Sequence, residues 1–348
     1  MSQRRRHLVL AIASLLAVVA CSPATTNAPS ASPAASSSEE PSPPPVALNV
    51  GLGFIPSVQF APFYLAKQAG YYEDAGLDVT FQNKIDPDLV PLVGEGRALD
   101  LGLADGTSVI PAVSQGIPIK YIATIYGRFP SVVFAKASSG IAAAKDLKGK
   151  KLGIPGRYGS SWIMLQALLR SAGLTPADLD IVEYPDFGQG AAVTQGAVDA
   201  ATGFANNEPV QLRLTGVAVN VLTVDSIVPL PGNGLIAGTS TIDAKGDSLA
   251  AFVAATLRAM EDIRENPEVG LDAAIKEVPD LAAARDTQAA ILDATIEVWS
   301  GPAQEAHGLG AIEPADWQKS VDYLTSLDMV PKPVTVDDLV DTGLLPGG

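Results

Sequence analysis

Histidine and cysteine, two side chains that commonly carry catalysis and metal binding, are scarce in this chain of 348 residues. Its histidines are His7 and His307, and its one cysteine is Cys21. His7 belongs to an N-terminal segment with the features of a removable signal, and His307 stands in a helix-end context that favours a surface or capping role. A Cys/His metal cluster and a Cys–His pair are therefore excluded, and a Ser–His–Asp triad has little basis. We expect a protein that is not an enzyme and uses no metal or cofactor.

Side chains suited to binding are concentrated in short segments that directly follow apolar runs. The aromatic ones offer faces for stacking, and the polar ones offer hydrogen-bond donors and acceptors. Only Arg128 and Arg157 supply positive charge in these segments, which is little for an anion. The combination suits a flat, uncharged heterocycle that carries hydroxyls. The predicted ligand-binding residues are Phe54, Gln59, Phe60, Asp105, Tyr126, Tyr158, Gly159, Ser160, Trp162, Asp186, Phe187, Asn206, Asn207, Glu208 and Asn233.

Several of these residues also have a purely structural interpretation, which the sequence leaves open. Asp105 precedes the start of a predicted helix and could serve only as its N-cap. An Asx cap would account for one asparagine of the Asn206-Asn207-Glu208 run, but not readily for all three residues. Tyr158 and Trp162 lie in or beside a glycine-rich segment, and one of the two rings could belong to the core. We expect at least one of them to stack on a ligand.

The elements that would position these residues begin with a strand–loop–helix–strand unit. An apolar strand is predicted at residues 48–54, followed by a loop at residues 55–60 and a helix that starts near Ala61 and ends at Gly70. A second apolar strand starts at Leu77. Such units build doubly wound sheets, in which ligands sit at the carboxyl ends of the strands. Phe54, at the end of the first strand, is therefore placed to contact a ligand.

The same alternation of elements continues and then restarts near Ser131. Further strands are predicted at residues 99–104, 119–125, 132–135, 152–155, 181–184, 198–204, 217–224 and 235–239. Helices are predicted at residues 248–266, 282–299 and 314–327, with Met260, Trp299 and Trp317 in the core. The restart indicates two α/β lobes, each a doubly wound sheet with flanking helices. Residues 46–130 plus 232–348 would form lobe I and residues 131–231 lobe II, joined by two hinge crossings.

The N-terminus has the composition of an export signal. Arg4, Arg5 and Arg6 precede an apolar run of about 13 residues, which is shorter than the roughly 20 that span a bilayer. The run ends at Val18-Val19-Ala20-Cys21, the pattern of a bacterial lipoprotein signal. An ordinary secretory signal is the alternative, but it would leave a free thiol at Cys21. We expect residues 1–20 to be a lipoprotein signal peptide, with Cys21 lipidated at the extracytoplasmic face of the cell membrane.

Composition further limits the partners. Residues 21–45 are rich in Ser, Pro, Ala and Thr and are predicted to form an extended, flexible tether behind the lipid anchor. Without Arg4, Arg5 and Arg6 the chain has 20 Lys and Arg against 38 Asp and Glu, a net charge of about −18. This charge argues against nucleic acid and polyanionic ligands, although much of it could serve only solubility. We expect a monomer.

The opening unit resembles the substrate-binding proteins of ABC importers for nitrate, sulfonates and thiamine-pyrimidine precursors. The motifs that carry the resemblance are APFYLA at residues 61–66 and GYYEDAGLDV at residues 70–79. KDLKGKKLG at residues 145–153 resembles the marker that introduces the second lobe in that family. The resemblance covers roughly residues 46–266. It implies a type II periplasmic-binding-protein fold, in which a ligand is enclosed between two lobes.

The same resemblance implies a solute-binding lipoprotein that delivers its ligand to a membrane permease. Its aromatic and polar loops are similar to those of riboflavin-binding lipoproteins. The isoalloxazine ring would stack on aromatic side chains, and the ribityl chain would meet the Asn206-Asn207-Glu208 run. A thiamine-pyrimidine precursor is the alternative ligand, and a sulfonate or nitrate fits less well. The superfamily includes a pyrimidine synthase, but that chemistry uses a histidine and a cysteine-rich motif that have no counterpart here.

Overall fold

The computed structural model describes residues 44–347, and in this part of the chain the strands form two separate five-stranded sheets. The strands begin and end close to the apolar runs that predicted them. They are β1 (Val46–Gly51), β2 (Leu77–Gln82), β3 (Leu101–Asp105), β4 (Ile119–Thr124), β5 (Ser131–Lys136), β6 (Lys151–Ile154), β7 (Asp180–Glu183), β8 (Ala200–Phe204), β9 (Val219–Leu222) and β10 (Asn233–Gly238). The alternation of strands and helices that the sequence predicts is thus confirmed.

Helices flank both sheets, and local sequence explains several of their ends. Gly70 and Gly116 adopt left-handed backbone conformations directly after helical segments, with φ of 80° and 98°. The helices are α1 (Ala61–Gln68), α2 (Tyr71–Asp74), α3 (Leu89–Glu95), α4 (Gly106–Gln115), α5 (Gly159–Ser171), α6 (Gln189–Gln195), α7 (Glu208–Leu214), α8 (Thr239–Glu265), α9 (Pro267–Glu277), α10 (Arg285–Trp299), α11 (Pro302–His307), α12 (Pro314–Thr325) and α13 (Val336–Leu339). His307 lies at the end of α11, as its sequence context indicates.

Each sheet contains one strand that runs against its neighbours. Sheet I has the order β2-β1-β3-β10-β4, and sheet II has the order β7-β6-β8-β5-β9. In sheet I the strand β10 is antiparallel to both β3 and β4, and in sheet II β5 is antiparallel to both β8 and β9. The start of β10 therefore lies at the same sheet edge as the end of β3, with Asn233 opposite Asp105. The sequence analysis did not predict these reversed strands.

The chain passes between the sheets twice, first after β4 and again before β10. The two crossings lie against each other, and the second also contacts the start of α4. The N–H of Tyr126 donates to the carbonyl of Asn233 at 2.8 Å, and the N–H of Gly106 donates to that of Gly232 at 2.9 Å. A Cβ at Gly232 would lie 2.1 Å from the carbonyl oxygen of Tyr126. Glycine is thus required there for the approach of the second crossing to the first. The architecture has two lobes, and the exact lobe boundaries stay a prediction.

The helices cover the sheets with large apolar side chains. Behind sheet I, the rings of Tyr72 and Phe252 stack at 4.9 Å. Met260, Trp299 and Trp317 are buried, which confirms their predicted place in the core. Helix α8 begins earlier than predicted. It bends at Lys245, whose ammonium group lies 2.7 Å from the Asp100 carboxylate.

Nothing in residues 44–347 has both the length and the apolar character of a membrane-spanning helix. The predicted signal peptide, the lipidation site Cys21 and nearly all of the predicted tether lie outside the described residues. They stay predictions.

Candidate functional site

A cavity of about 450 Å³ lies between the two sheets and is lined by residues of both. The carboxyl ends of β1, β3, β6 and β8 meet it, as expected for parallel strands. Most of the predicted binding residues line it, namely Phe54, Gln59, Phe60, Asp105, Tyr126, Tyr158, Gly159, Ser160, Phe187, Asn207, Glu208 and Asn233. Asn233 reaches the cavity because β10 is antiparallel and starts at this edge. The structure thus brings together segments that are far apart in the sequence.

On the sheet I side, Asp105 is both a helix cap and a cavity residue. Its Oδ1 accepts from the N–H of Ser108 at 2.8 Å, and its Oδ2 accepts from the Ser108 hydroxyl at 2.7 Å. The purely structural interpretation of Asp105 therefore accounts for its bonds but not for its place in the lining. Beside it, burial raises the pKa of the Tyr126 phenol well above its ordinary value of 10.0. Tyr126 consequently stays protonated at neutral pH.

On the sheet II side, Glu208 folds back over the end of β8. Its Oε2 accepts from the N–H of Phe204 at 2.9 Å, and its Oε1 lies 3.4 Å from Nε2 of Gln189. A Cβ at Gly203 would meet Oε2 of Glu208 at 2.7 Å and the Phe134 ring at 2.8 Å, so glycine makes room for this carboxylate. Burial raises the pKa of Glu208 above its ordinary value.

Aromatic rings from both sides meet in the cavity. The rings of Phe54 and Phe187 form an edge-to-face pair with centroids 5.2 Å apart and an interplanar angle of 76°. Phe187 has φ of 60°, in the left-handed region that a bulky residue rarely adopts. Tyr158 also lines the cavity and is 51% exposed, so much of its ring is free. The lining rings that keep exposed surface are these three and Phe204, whereas Phe60 and Tyr126 are buried.

Asn206 lies outside the lining of this cavity, and its side chain forms hydrogen bonds from one lobe to the other. Its Nδ2 donates to Oε1 of Gln59 at 3.1 Å and to the hydroxyl of Thr295 at 2.9 Å. The predicted run Asn206-Asn207-Glu208 is thereby split, since only Asn207 and Glu208 face the cavity.

Trp162 and Asp186 also lie outside the lining of the cavity. Trp162 is on α5 and packs against a buried apolar cluster, with the Arg157 guanidinium 5.4 Å from its ring centroid. Asp186 is exposed, and its Oδ1 accepts from the N–H of Gly188 at 3.1 Å. Of the two rings Tyr158 and Trp162, it is Tyr158 that reaches the cavity.

Several lining residues were not predicted as site residues. Gln189 and Phe204 had a sequence signal, because both stand at or near the end of a strand in sheet II. Met329 had none, since it follows α12 near the C-terminus and reaches the cavity only through the tertiary fold. Further unpredicted lining residues include Asp86, Ser108, Gln115 and Ser161.

The cavity contains no Lys or Arg among the described residues. Arg157 is held by Glu183 at 3.1 Å. Arg128 lies instead at a second cavity, of about 380 Å³, beside the crossings. A search of residues 44–347 finds no group of three or more His, Cys, Asp or Glu side chains that could hold a metal ion. The main cavity can therefore stack rings and exchange hydrogen bonds, but it offers no cation to an anionic ligand.

Comparison with known proteins supports the same class of fold. The aliphatic sulphonate-binding protein SsuA of Escherichia coli superposes with a TM-score of 0.66 at 21% identity, covering 85% of this chain and 97% of that protein. The predicted two-lobed periplasmic-binding-protein fold is thus confirmed.

Comparison of sequences gives the family. The riboflavin-binding protein RibY of Chloroflexus aurantiacus is 33% identical over 346 residues, 99% of this chain and 98% of that protein. The formylaminopyrimidine-binding protein of Halalkalibacterium halodurans is 27% identical over 302 residues, 84% of this chain and 88% of that protein. A family model described as NMT1/THI5 like matches residues 57–269. The resemblance noted from the sequence is confirmed, and the chain belongs to the NMT1/THI5-like family.

Proposed function

We propose that this protein is the substrate-binding component of an ABC importer, and that it captures riboflavin between its lobes for delivery to a membrane permease. The observation that carries the proposal is the pair of rings Phe54 and Phe187, which face one cavity from opposite sheets. Near full-length similarity to RibY, a riboflavin-binding protein by name, supports the choice of ligand.

The cavity has the chemistry that a flavin requires. The isoalloxazine ring is flat and apolar on its faces, and each stack on an aromatic ring contributes about 0.5–1.5 kcal/mol beyond burial. The ribityl hydroxyls would meet the polar side chains Asn207, Glu208 and Asn233. Binding in the micromolar to nanomolar range corresponds to about 8–12 kcal/mol. Two stacks, ring burial and several hydrogen bonds are of the right size to supply this free energy.

A thiamine-pyrimidine precursor is the second candidate ligand. Similarity over 84% of the chain to a formylaminopyrimidine-binding protein favours it. A small pyrimidine would occupy less of the 450 Å³ cavity and would use fewer of the stacking rings. A sulfonate or nitrate is disfavoured because no Lys or Arg lines the cavity in the described part of the chain.

The importer role includes the N-terminal segment. A lipid on Cys21 would anchor the protein to the outer face of the cell membrane, and residues 21–45 would tether the folded body beside the permease. The family also includes a pyrimidine synthase, but the residues of this cavity suit retention of a ligand rather than its conversion. We therefore propose a monomeric binding protein, without a cofactor or enzymatic activity.

Thermal unfolding in the presence of candidate ligands tests the proposal. Riboflavin at 100 times its Kd stabilises the folded protein by about 2.7 kcal/mol, because it binds only the folded state. We expect riboflavin to raise the midpoint of unfolding, and an alkanesulfonate or nitrate to leave it unchanged. A shift with hydroxymethylpyrimidine but not with riboflavin would establish the second candidate. No shift with any of these compounds would contradict a receptor for this class of solute.

A further inference from the structure

The cavity lining includes hydrogen-bond acceptors from both sheets. Two of them, Oε1 of Gln189 and Oδ1 of Asn233, are buried and have no hydrogen-bond partner among the described residues. Gln189 is 1% exposed, so its orphan oxygen is withdrawn from bulk water. A buried acceptor without a partner carries a free-energy cost, because it has lost its hydrogen bonds to water. A ligand that donates hydrogen bonds at this point would remove that cost.

The orientation of the Gln189 amide is set by its neighbours. Its Nε2 lies 3.2 Å from the carbonyl oxygen of Thr202 and 3.4 Å from Oε1 of Glu208, and both of these atoms are acceptors. Exchanging the amide nitrogen and oxygen would place oxygen against two oxygens. The unpartnered atom of Gln189 is therefore an acceptor, and it needs a donor.

Three carboxylates line the same cavity. The carboxylate of Asp86 is paired with the Lys84 ammonium group at 2.9 Å. The other two are those of Asp105 from sheet I and Glu208 from sheet II. The charge of Asp105 is partly offset by the N–H and hydroxyl of Ser108, and that of Glu208 by the N–H of Phe204. No cationic side chain lines the cavity in the described residues. An anionic group on a ligand would therefore be repelled by the carboxylates and by the lone pairs of the acceptor oxygens.

We propose that the cavity selects the neutral, donor-rich form of its ligand and rejects the phosphate ester of the same molecule. The inference rests on the proposed function and extends it: riboflavin, with its hydroxyls and ring N–H, would be taken, and flavin mononucleotide would be refused. A phosphate monoester carries about −1.5 to −2 charges at neutral pH, which the carboxylates repel. The protein would thus recognise a flavin that a phosphatase reaction has already released from its phosphate.

Equilibrium binding of the two flavins to the full chain tests this selectivity. We expect flavin mononucleotide to bind at least 30-fold more weakly than riboflavin. Added salt should reduce the difference between the two affinities, because it screens the repulsion between the phosphate and the carboxylates. The affinity for riboflavin should change by a smaller factor. Equal affinities for the two flavins would overturn the selectivity and leave the proposed function standing.

Glu208→Gln provides the mutational arm of the same experiment. It removes the charge but keeps an acceptor for the N–H of Phe204, and we expect it to reduce the preference for riboflavin at least fivefold. Glu297→Gln is the matched control, because Glu297 is exposed and lies outside the cavity. The preference of this variant for riboflavin over flavin mononucleotide should equal that of the wild type. An unchanged preference in Glu208→Gln would overturn the role of this carboxylate.

Failure of riboflavin itself is a separate outcome. If riboflavin does not bind, the proposed function fails, and hydroxymethylpyrimidine and its phosphate ester become the test pair. A preference for the unphosphorylated pyrimidine would uphold the selectivity for a different ligand. Equal binding of that pair, or binding of neither member of either pair, would overturn it.

Discussion

At the scale of single residues, similar polar side chains take different places in and around the site. Asp105 caps α4 and still lines the cavity, whereas the amide of Asn206 donates its hydrogen bonds to Gln59 and Thr295. In the sequence the two residues look alike, because each is polar and stands at or just after the end of a strand. The difference comes from tertiary contacts, since Gln59 and Thr295 are distant from Asn206 in the sequence.

Phe54→Ala tests the ring surface of the cavity. The substitution removes a partly buried ring that meets Phe187 edge to face. We expect the variant to lose about 1.5–3 kcal/mol of binding free energy from burial and stacking. Its affinity for riboflavin should therefore be about 10- to 100-fold weaker. Leu214→Ala is the control, because Leu214 is 53% exposed on α7 and outside the cavity. Isothermal titration calorimetry measures the Kd of riboflavin for each variant. Equal Kd values for Phe54→Ala and Leu214→Ala would contradict a stacking role for Phe54.

Glu208 gives a pH dependence whose sign follows from its surroundings. Burial raises its pKa above the ordinary 4.5, so the folded state binds a proton more tightly than the unfolded state. This proton stabilises the fold below the ordinary pKa, and the contribution is lost as pH rises through the folded pKa. Wild type should therefore lose stability relative to Glu208→Gln as pH rises from about 4.5 toward neutral.

Urea unfolding at several pH values measures this difference directly. The free energy of unfolding of Glu297→Gln should follow that of the wild type across this pH range, because the side chain of Glu297 is exposed. A difference between wild type and Glu208→Gln that grows in favour of wild type toward neutral pH would contradict the assignment.

At the scale of the elements, strands were the most predictable feature. Apolar runs bounded by polar or turn-forming residues located every strand to within a few residues, because burial on both faces requires such runs. The direction of a strand has no such signal, so the reversal of β5 and β10 was missed. The reversal places Asn233 at the cavity. The prediction of Asn233 as a binding residue rested on its position at a crossing and not on the direction of the strand.

The helices show why some predicted site residues lie outside the cavity. Trp162 follows the glycine-rich segment closely, but α5 already begins at Gly159 and turns Trp162 toward the apolar cluster. Tyr158, one residue before the helix, keeps an extended backbone and reaches the cavity. A helical start shifts neighbouring side chains to different faces, which the composition of a loop does not reveal.

Gly232→Ala tests the contact between the two crossings. The added Cβ would lie 2.1 Å from the Tyr126 carbonyl oxygen, and backbone cannot move aside as a flexible side chain does. We expect the free energy of unfolding to fall by about 1–3 kcal/mol. Gly246→Ala is the matched control, since nothing lies within 4 Å of its added Cβ and alanine favours the helix there. Equal stability of the two variants by urea unfolding would show that the crossings are not closely apposed.

At the scale of the whole molecule, the lobes share one buried apolar cluster and are joined by further individual contacts. These contacts include the Asn206 hydrogen bonds, the Phe54–Phe187 pair and the bond from Arg170 to the carbonyl of Ser326 at 3.0 Å. Two backbone crossings beside one another suit a hinge, about which the lobes could part to admit a ligand. Contacts with a ligand that both lobes touch would then favour the closed arrangement.

Titration of the full chain into riboflavin, followed by flavin fluorescence, tests the central claim most directly. Stacking on the cavity rings should quench the fluorescence in a saturable way, with one site per chain and a Kd in the micromolar to nanomolar range. Phe54→Ala should shift the curve to higher protein concentration. An absence of quenching at micromolar protein would contradict riboflavin as the ligand.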